Sequence, residues 1–237
     1  MINKIYSGRY IIYETKFKGK EYDEGNSLIY EGEYLNGERS GKGKEYISNN
    51  ILVFEGEYLK GKKNGKGKVY DSINSLIFEG EYINDLKNGK GKEYQPNGYL
   101  RFEGEYLNGK RHGKGKEIGY FNNLQFEGEY RNDRKNGYGK YFHDNKNVSL
   151  EGYFLDEQLN GKAKEYYYNG NLFYEGEFLN GVRNGKGKEY DSENHLIFEG
   201  EYLNDKEWNG EGFYYDSFGN LYQKIYYHNG NKKIYKL

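Results

Sequence analysis

The chain has 237 residues, a formal net charge of −1, one proline, no cysteine, 35 glycines and 30 tyrosines. The missing cysteine excludes disulfides and thiolate metal sites. Balanced charge gives no overall pull toward nucleic acid or an anionic surface. Only 35% of the residues are hydrophobic and 19% are aromatic, so rings must supply most of any core. Residues 1–7 hold no uninterrupted apolar run, and nothing approaches the roughly 20 apolar residues of a membrane helix. The expectation is a cytoplasmic protein, in which the sequon at Asn147 is a chance match.

A period of 24 residues runs through the sequence. Residues 1–29 keep the frame, but Ile11, Ile12, Tyr13 and Phe17 stand where later units have turn residues, so this stretch reads as an N-terminal cap. Eight units follow over residues 30–221. Their anchors are Tyr30, Phe54, Phe78, Phe102, Phe126, Leu150, Tyr174 and Phe198, with Tyr6 before them and Tyr222 after. A glycine follows two places on from all but the last anchor, from Gly8 through Gly56 and Gly104 to Gly200. Two places further stands a second ring, as at Tyr58, Tyr82, Tyr106 and Tyr130. A second glycine set, including Gly67, Gly91 and Gly115, is broken by Ala163, and near Trp208 one extra residue moves it to Gly212. Residues 222–237 read as a C-terminal capping hairpin turning at Asn229-Gly230. Lys232, Lys233 and Lys236 on its last strand discourage end-to-end stacking.

Within a unit, Phe102-Glu103-Gly104-Glu105-Tyr106-Leu107 alternates as a strand does. Residues 108–113 have turn chemistry, and residues 114–117 return. No helical period occurs. The expected fold is all-β, an elongated, twisted single antiparallel sheet of consecutive β-hairpins, on the order of 90–100 Å long. One face carries Phe102, Gly104, Tyr106, Gly113 and Gly115, and the other Glu103, Glu105, Lys114 and Lys116. Rings would then lie over glycines, while cross-strand Glu–Lys pairs of roughly 0.2–1 kcal/mol each set register.

Stretches such as Tyr30 to Gly43, Phe102 to Gly115 and Tyr174 to Gly187 carry the pattern ring-Glu-Gly-Glu-ring-Leu-Asn-Gly, then spaced glycines. This pattern resembles the MORN (membrane occupation and recognition nexus) repeat. The likeness covers residues 30–221, with a period of 24 rather than the usual 23, and with tyrosine or phenylalanine where the family often has tryptophan. The resemblance implies an attachment module at membrane–cytoskeleton junctions or in protein scaffolds, binding a peptide, a helix or lipid. The catalytic domains that accompany some such repeats are not expected within residues 1–237.

The sequence offers two candidate surfaces. The first is the ring row, read as half-exposed, with Tyr82, Tyr106 and Tyr130 as the groove and Phe102 and Phe126 behind them. Serine at the three tyrosines is expected to abolish partner capture and leave the fold largely intact. The second is a basic rim of turns, Lys62, Lys63, Lys110, Arg111, Arg134 and Lys135, joined by Lys87 and Arg183, that could meet anionic headgroups at up to about 1 kcal/mol per residue. The opposite rim holds Asp71, Asp191, Glu193 and Asp216. The four histidines sit at unlike positions without metal-ligand spacing, and the repeated carboxylates lack the unlike environments of an acid–base pair. The expectation is therefore a non-catalytic scaffold for a protein or peptide, alternatively a peripheral membrane adaptor, with no cofactor, metal or nucleic acid. Pairing of two copies through ends or faces is left open.

Overall fold

The structure is a computed structural model that describes the backbone of residues 2–6, 9–119 and 123–236 and the side chains of 9–119 and 123–235. Gly8 and the Tyr6 side chain, expected as the first glycine and anchor, lie outside the described residues. The chain divides into two compact units, residues 1–115 and 116–237. The first holds β1 (Ile2–Tyr6), β2 (Arg9–Thr15), β3 (Lys18–Tyr22), β4 (Leu28–Leu35), β5 (Glu38–Ile47), β6 (Ile51–Leu59), β7 (Lys62–Tyr70), β8 (Leu76–Ile83), β9 (Leu86–Tyr94), β10 (Leu100–Leu107) and most of β11 (Lys110–Ile118). The second holds β12 (Leu124–Arg131), β13 (Arg134–Phe142), β14 (Val148–Leu155), β15 (Gln158–Tyr166), β16 (Leu172–Leu179), β17 (Val182–Tyr190), β18 (Leu196–Leu203), β19 (Lys206–Tyr215), β20 (Leu221–His228) and β21 (Asn231–Lys236). The fold is all-β, and strands pair antiparallel with their chain neighbours, as in β6–β7, β7–β8, β13–β14 and β20–β21. Among the described residues the helical content is one 3-10 turn at Ser48–Asn50, and no helix is long and apolar enough to cross a membrane.

The turns are shorter than residues 108–113 suggested. Asn108 and Gly109 alone form the turn, both at positive φ, and β11 begins at Lys110. Lys60–Gly61, Asn84–Asp85 and Asn180–Gly181 repeat this geometry, the type I′ turn whose twist matches that of the flanking strands. The glycine that looked like the end of the turn is a bulge inside the return strand. In β7, Tyr58 faces Lys63 and Gly56 faces Gly67, so Asn64, Gly65 and Lys66 oppose Glu57. Gly65 has a φ of 107°, and the Glu57 carboxylate lies where its Cβ would be. Successive turns are tied by the amides of Gly61, Asp85 and Gly109, which donate to the carbonyls of Arg39, Lys63 and Lys87 at 2.8–3.0 Å.

The core is a herringbone of rings. Phe54 stands edge-to-face against Tyr58 of its own hairpin (5.7 Å, 86°) and Tyr82 of the next (5.5 Å, 88°). Phe78 makes the same two contacts with Tyr82 and Tyr106. Each such pair adds about 0.5–1.5 kcal/mol to area burial. The anchors lie flat over the paired glycines, so a Cβ on Gly67 would sit 2.5 Å from Phe54 Cζ. Those glycines are therefore sites of close approach rather than of unusual backbone.

Three details differ from the sequence reading. Near Trp208 the turn is again two residues, Asn204–Asp205. Gly210, rather than Gly212, faces Gly200, because the bulge there is one residue shorter. Tyr222 is exposed, and Ile225 and Tyr227 take the buried positions in its hairpin. In the unit anchored by Leu150, Ala163 stands opposite Gly152, and Leu159 takes the place of a cation. Tyr141 fills the missing ring, 4.8 Å from Phe126 and 5.9 Å from Phe154.

Candidate binding site

The ring row is closed rather than half open. Phe102 and Phe126 are 0% exposed, and Tyr82, Tyr106 and Tyr130 are 6%, 4% and 3% exposed. Neighbouring rings cover them from the sides, and from above a cation two places after the I′ turn folds across the anchor. Arg39 lies 4.1 Å from the Tyr30 ring, Lys63 4.0 Å from Phe54, Lys87 3.9 Å from Phe78, Arg111 4.0 Å from Phe102 and Lys135 4.7 Å from Phe126. These rings offer a partner no surface.

The same geometry splits the expected basic rim. Because the turn is only two residues long, Lys62 and Lys63 already belong to a strand and face opposite sides. Lys62, Lys110 and Arg134 are exposed. Lys63, Arg111 and Lys135 are turned onto the rings and into ion pairs with Glu45 (2.8 Å), Glu93 (2.5 Å) and Glu117 (3.0 Å). Lys87 and Arg183 likewise lie on the rings of Phe78 and Tyr174, so the basic rim shrinks to three of its eight predicted members. On the other rim, Asp71 Oδ1 accepts from the amides of Ile73 and Ser75 (3.0 and 2.8 Å), and Asp191 and Asp216 bind their own loops alike. These carboxylates build turns rather than an acidic edge.

Glu93 is a heavily bonded member of the ion-pair layer. It accepts from Arg111, Arg101 and the Tyr106 hydroxyl at 2.5, 2.8 and 2.9 Å. Burial pushes its carboxyl up, but those donors outweigh burial and hold it at about 2. A depressed carboxylate adds stability above its unfolded pKa of about 4.3, and that stability is lost as pH falls through the folded value. Acidification from about pH 6 to about pH 2.5 is expected to cost the wild type roughly 1–3 kcal/mol more than Glu93→Gln, read from urea melts. Identical pH dependence in the two proteins would show that the cluster contributes nothing.

The concave surface lies on the opposite, charged face. In the first unit a trough of about 1040 Å³ is floored by paired glycines and lined by rows of glutamate and lysine running from Glu14 to Lys114. In the second unit a trough of about 680 Å³ runs from Tyr138 to Glu201. Lys140–Glu151 (2.9 Å) and Lys188–Glu199 (3.0 Å) pair across strands as the alternation predicts.

Two further rows flank this face, and the sequence reading passed over both. Tyr46, Tyr70 and Tyr94, 24 residues apart, are half-buried and donate their hydroxyls to Glu31, Glu55 and Glu79 at 2.5–2.7 Å. Tyr166 and Tyr190 do so to Glu151 and Glu175. On the other side Leu35, Leu59, Ile83 and Leu107 are 45–54% exposed, as are Leu155 and Leu179 in the second unit at 53% and 48%. Each leads directly into an I′ turn and alternates with the trough glutamates along its strand. The 24-residue spacing of both rows was the signal that could have found them.

Seven segments of the chain, residues 30–50, 54–73, 78–98, 102–120, 126–148, 151–172 and 174–194, match the MORN repeat. The chain belongs to the MORN repeat family. These seven MORN repeats contain the ring anchors Tyr30, Phe54, Phe78, Phe102, Phe126 and Tyr174 and both flanking rows. No curated protein matches the chain. Among solved structures, similarity is found to one described as "Crystal Structure of TcdB2-TccC3-TEV", at 12% identity and TM-score 0.22, over 97% of this chain and 14% of that one. Another, "Streptogramin B lyase structure", has 12% identity and TM-score 0.17 over 100% of this chain and 82% of that one. The chain thus spans about one seventh of the length of the first of these.

Proposed function

We propose that this MORN repeat chain is a non-catalytic scaffold that holds a protein or peptide segment in the charged trough. The observation that carries this reading is the exposed aliphatic row, Leu35, Leu59, Ile83 and Leu107, beside a concave floor. Aliphatic side chains about half exposed in a regular line form the kind of patch that a partner covers. The glutamates and lysines, paired to each other, then select register and orientation more than affinity. The same glutamate–lysine pairing recurs from repeat to repeat, as at Lys66 and Glu81 or Lys162 and Glu177, and such repetition supports binding over chemistry.

Glutamate at Leu59, Ile83 and Leu107 together is expected to weaken capture of the partner at least tenfold with an unchanged far-ultraviolet spectrum, because each side chain is exposed. Undiminished capture by this triple variant would remove the trough as the site.

One observation favours a membrane surface as the second reading. Lys62 stands opposite Leu59 across the I′ turn, which sets a cation beside an aliphatic group as bilayer interfaces require. Co-sedimentation with phosphoinositide-containing and neutral vesicles, at low and physiological salt, separates the two. Binding to the anionic vesicles alone, surviving physiological salt and lost on Lys60→Glu, Lys62→Glu and Lys110→Glu, would make the rim the docking surface.

A further inference from the structure

The trough of the second unit carries one irregular step. At other steps along the troughs the second lysine-glutamate row is a cross-strand pair, as at Lys66 and Glu81 or Lys162 and Glu177. At β13 and β14 both partners are replaced together, so that Tyr138 faces Tyr153. The two rings meet edge-to-face at 5.4 Å and stay 38% and 56% exposed. The Tyr138 hydroxyl donates to Glu151 Oε2 at 2.8 Å, and the same carboxylate also takes Lys140 and the Tyr166 hydroxyl at 2.9 and 2.7 Å. The Tyr138 ring is therefore fixed before any partner arrives, which removes an ordering cost from binding.

Repetition of the trough sets a second constraint. Two strands per repeat at about 4.8 Å each bring equivalent groups back every 9.6 Å or so. A polyproline II segment, with three residues per turn and a rise of about 3.1 Å, returns the same side of the chain every 9.3 Å or so. An α-helix pitched at about 5.4 Å drifts out of phase by the next repeat, and an extended strand, alternating sides every residue, covers the distance in about three residues and turns over. A partner that reads only the repeating charges could slip by one repeat at little cost. The tyrosine pair breaks that equivalence once.

On the reading that the trough is the binding surface, we propose that its occupant in the second unit is a polyproline II segment with a basic residue at every third position, held in register by Tyr138 and Tyr153. The basic residue follows from the rings: the two open tyrosine faces favour a cation or a proline over an acid. Every third residue meets a glutamate row, and the intervening prolines lie on the rings.

The test is fluorescence anisotropy of the full chain with a labelled (Pro-Pro-Lys)5 peptide, a (Pro-Pro-Glu)5 peptide, and a helical peptide of equal length and lysine content, at physiological salt. The lysine peptide is expected to bind at least tenfold more tightly than either control. Tyr138→Lys with Tyr153→Glu restores the pair found at the other repeats and should keep the fold. This double variant is expected to bind the lysine peptide at least tenfold more weakly, and Tyr138→Phe, which frees the ring from Glu151, about threefold more weakly. Equal or tighter binding of the helical peptide, or an unchanged double variant, would overturn the proposal. If the helical peptide binds and glutamate at Leu155 and Leu179 releases it, the trough stands and only the polyproline conformation falls. Failure of every peptide to bind overturns the proposal outright, and the trough then rests on the triple variant of the first unit.

Discussion

Phe54→Ala is expected to lower the unfolding free energy by about 3–5 kcal/mol, the range for deleting a buried phenylalanine. Phe54 is 1% exposed and closes over Gly56 and Gly67. It also supplies the ring face for Lys63 and the edge contacts of Tyr58 and Tyr82. Its loss would leave the Lys63–Glu45 pair over a cavity and bare two glycine backbones to water. For the same reason Tyr82→Ser is expected to cost about 3 kcal/mol or more, contrary to the sequence-based expectation that serine there spares the fold. Equilibrium urea unfolding measures both. A cost below about 1 kcal/mol for Phe54→Ala would mean that the herringbone is not what holds the hairpins together.

Leu150→Phe, which restores the ring of the other units, is expected to destabilise by about 2 kcal/mol, because overpacking a filled site costs about 1–3 kcal/mol. Rings at this position lie over the glycine pair, but here the pair is Gly152 and Ala163, and Ala163 is 5% exposed. Its methyl occupies the space that a ring needs. Ala163→Gly alone should also destabilise, since it opens a gap beside the smaller leucine. The two together should recover about 1–2 kcal/mol relative to the sum of the single changes, a coupling that a double-mutant cycle in urea resolves. Additive costs would show that the alanine methyl is not what excludes the ring. The same unit supplies Tyr153, which with Tyr138 of the preceding repeat replaces Lys–Glu on the trough side, so its departures from the repeat occur on both faces of the sheet.

The sequence by itself determined the period, the hairpins and the sorting of residues to two faces. Alternation puts Phe102, Gly104 and Tyr106 on one side and Glu103 and Glu105 on the other whatever surrounds them, because successive side chains of a strand point in opposite directions. It also determined the close packing of rings on glycines, since nothing else in this composition could fill a core. Only the tertiary structure decided which face is open. The ring row looked like a groove because a single sheet has two sides. Turn chemistry at residues 108–113 hid that Lys110 and Arg111 already belong to a strand. Once the turn shrinks to two residues, every second cation must cross to the ring side, where it finds a ring below and a glutamate of the preceding hairpin beside it, as Arg39 finds Glu21 at 2.7 Å. Those cations close one face and leave the other, with its glycine floor, exposed leucines and hydroxyl-tethered tyrosines, as the surface a partner can reach. Contacts between hairpins decide that outcome, and strand alternation, being local, does not contain them.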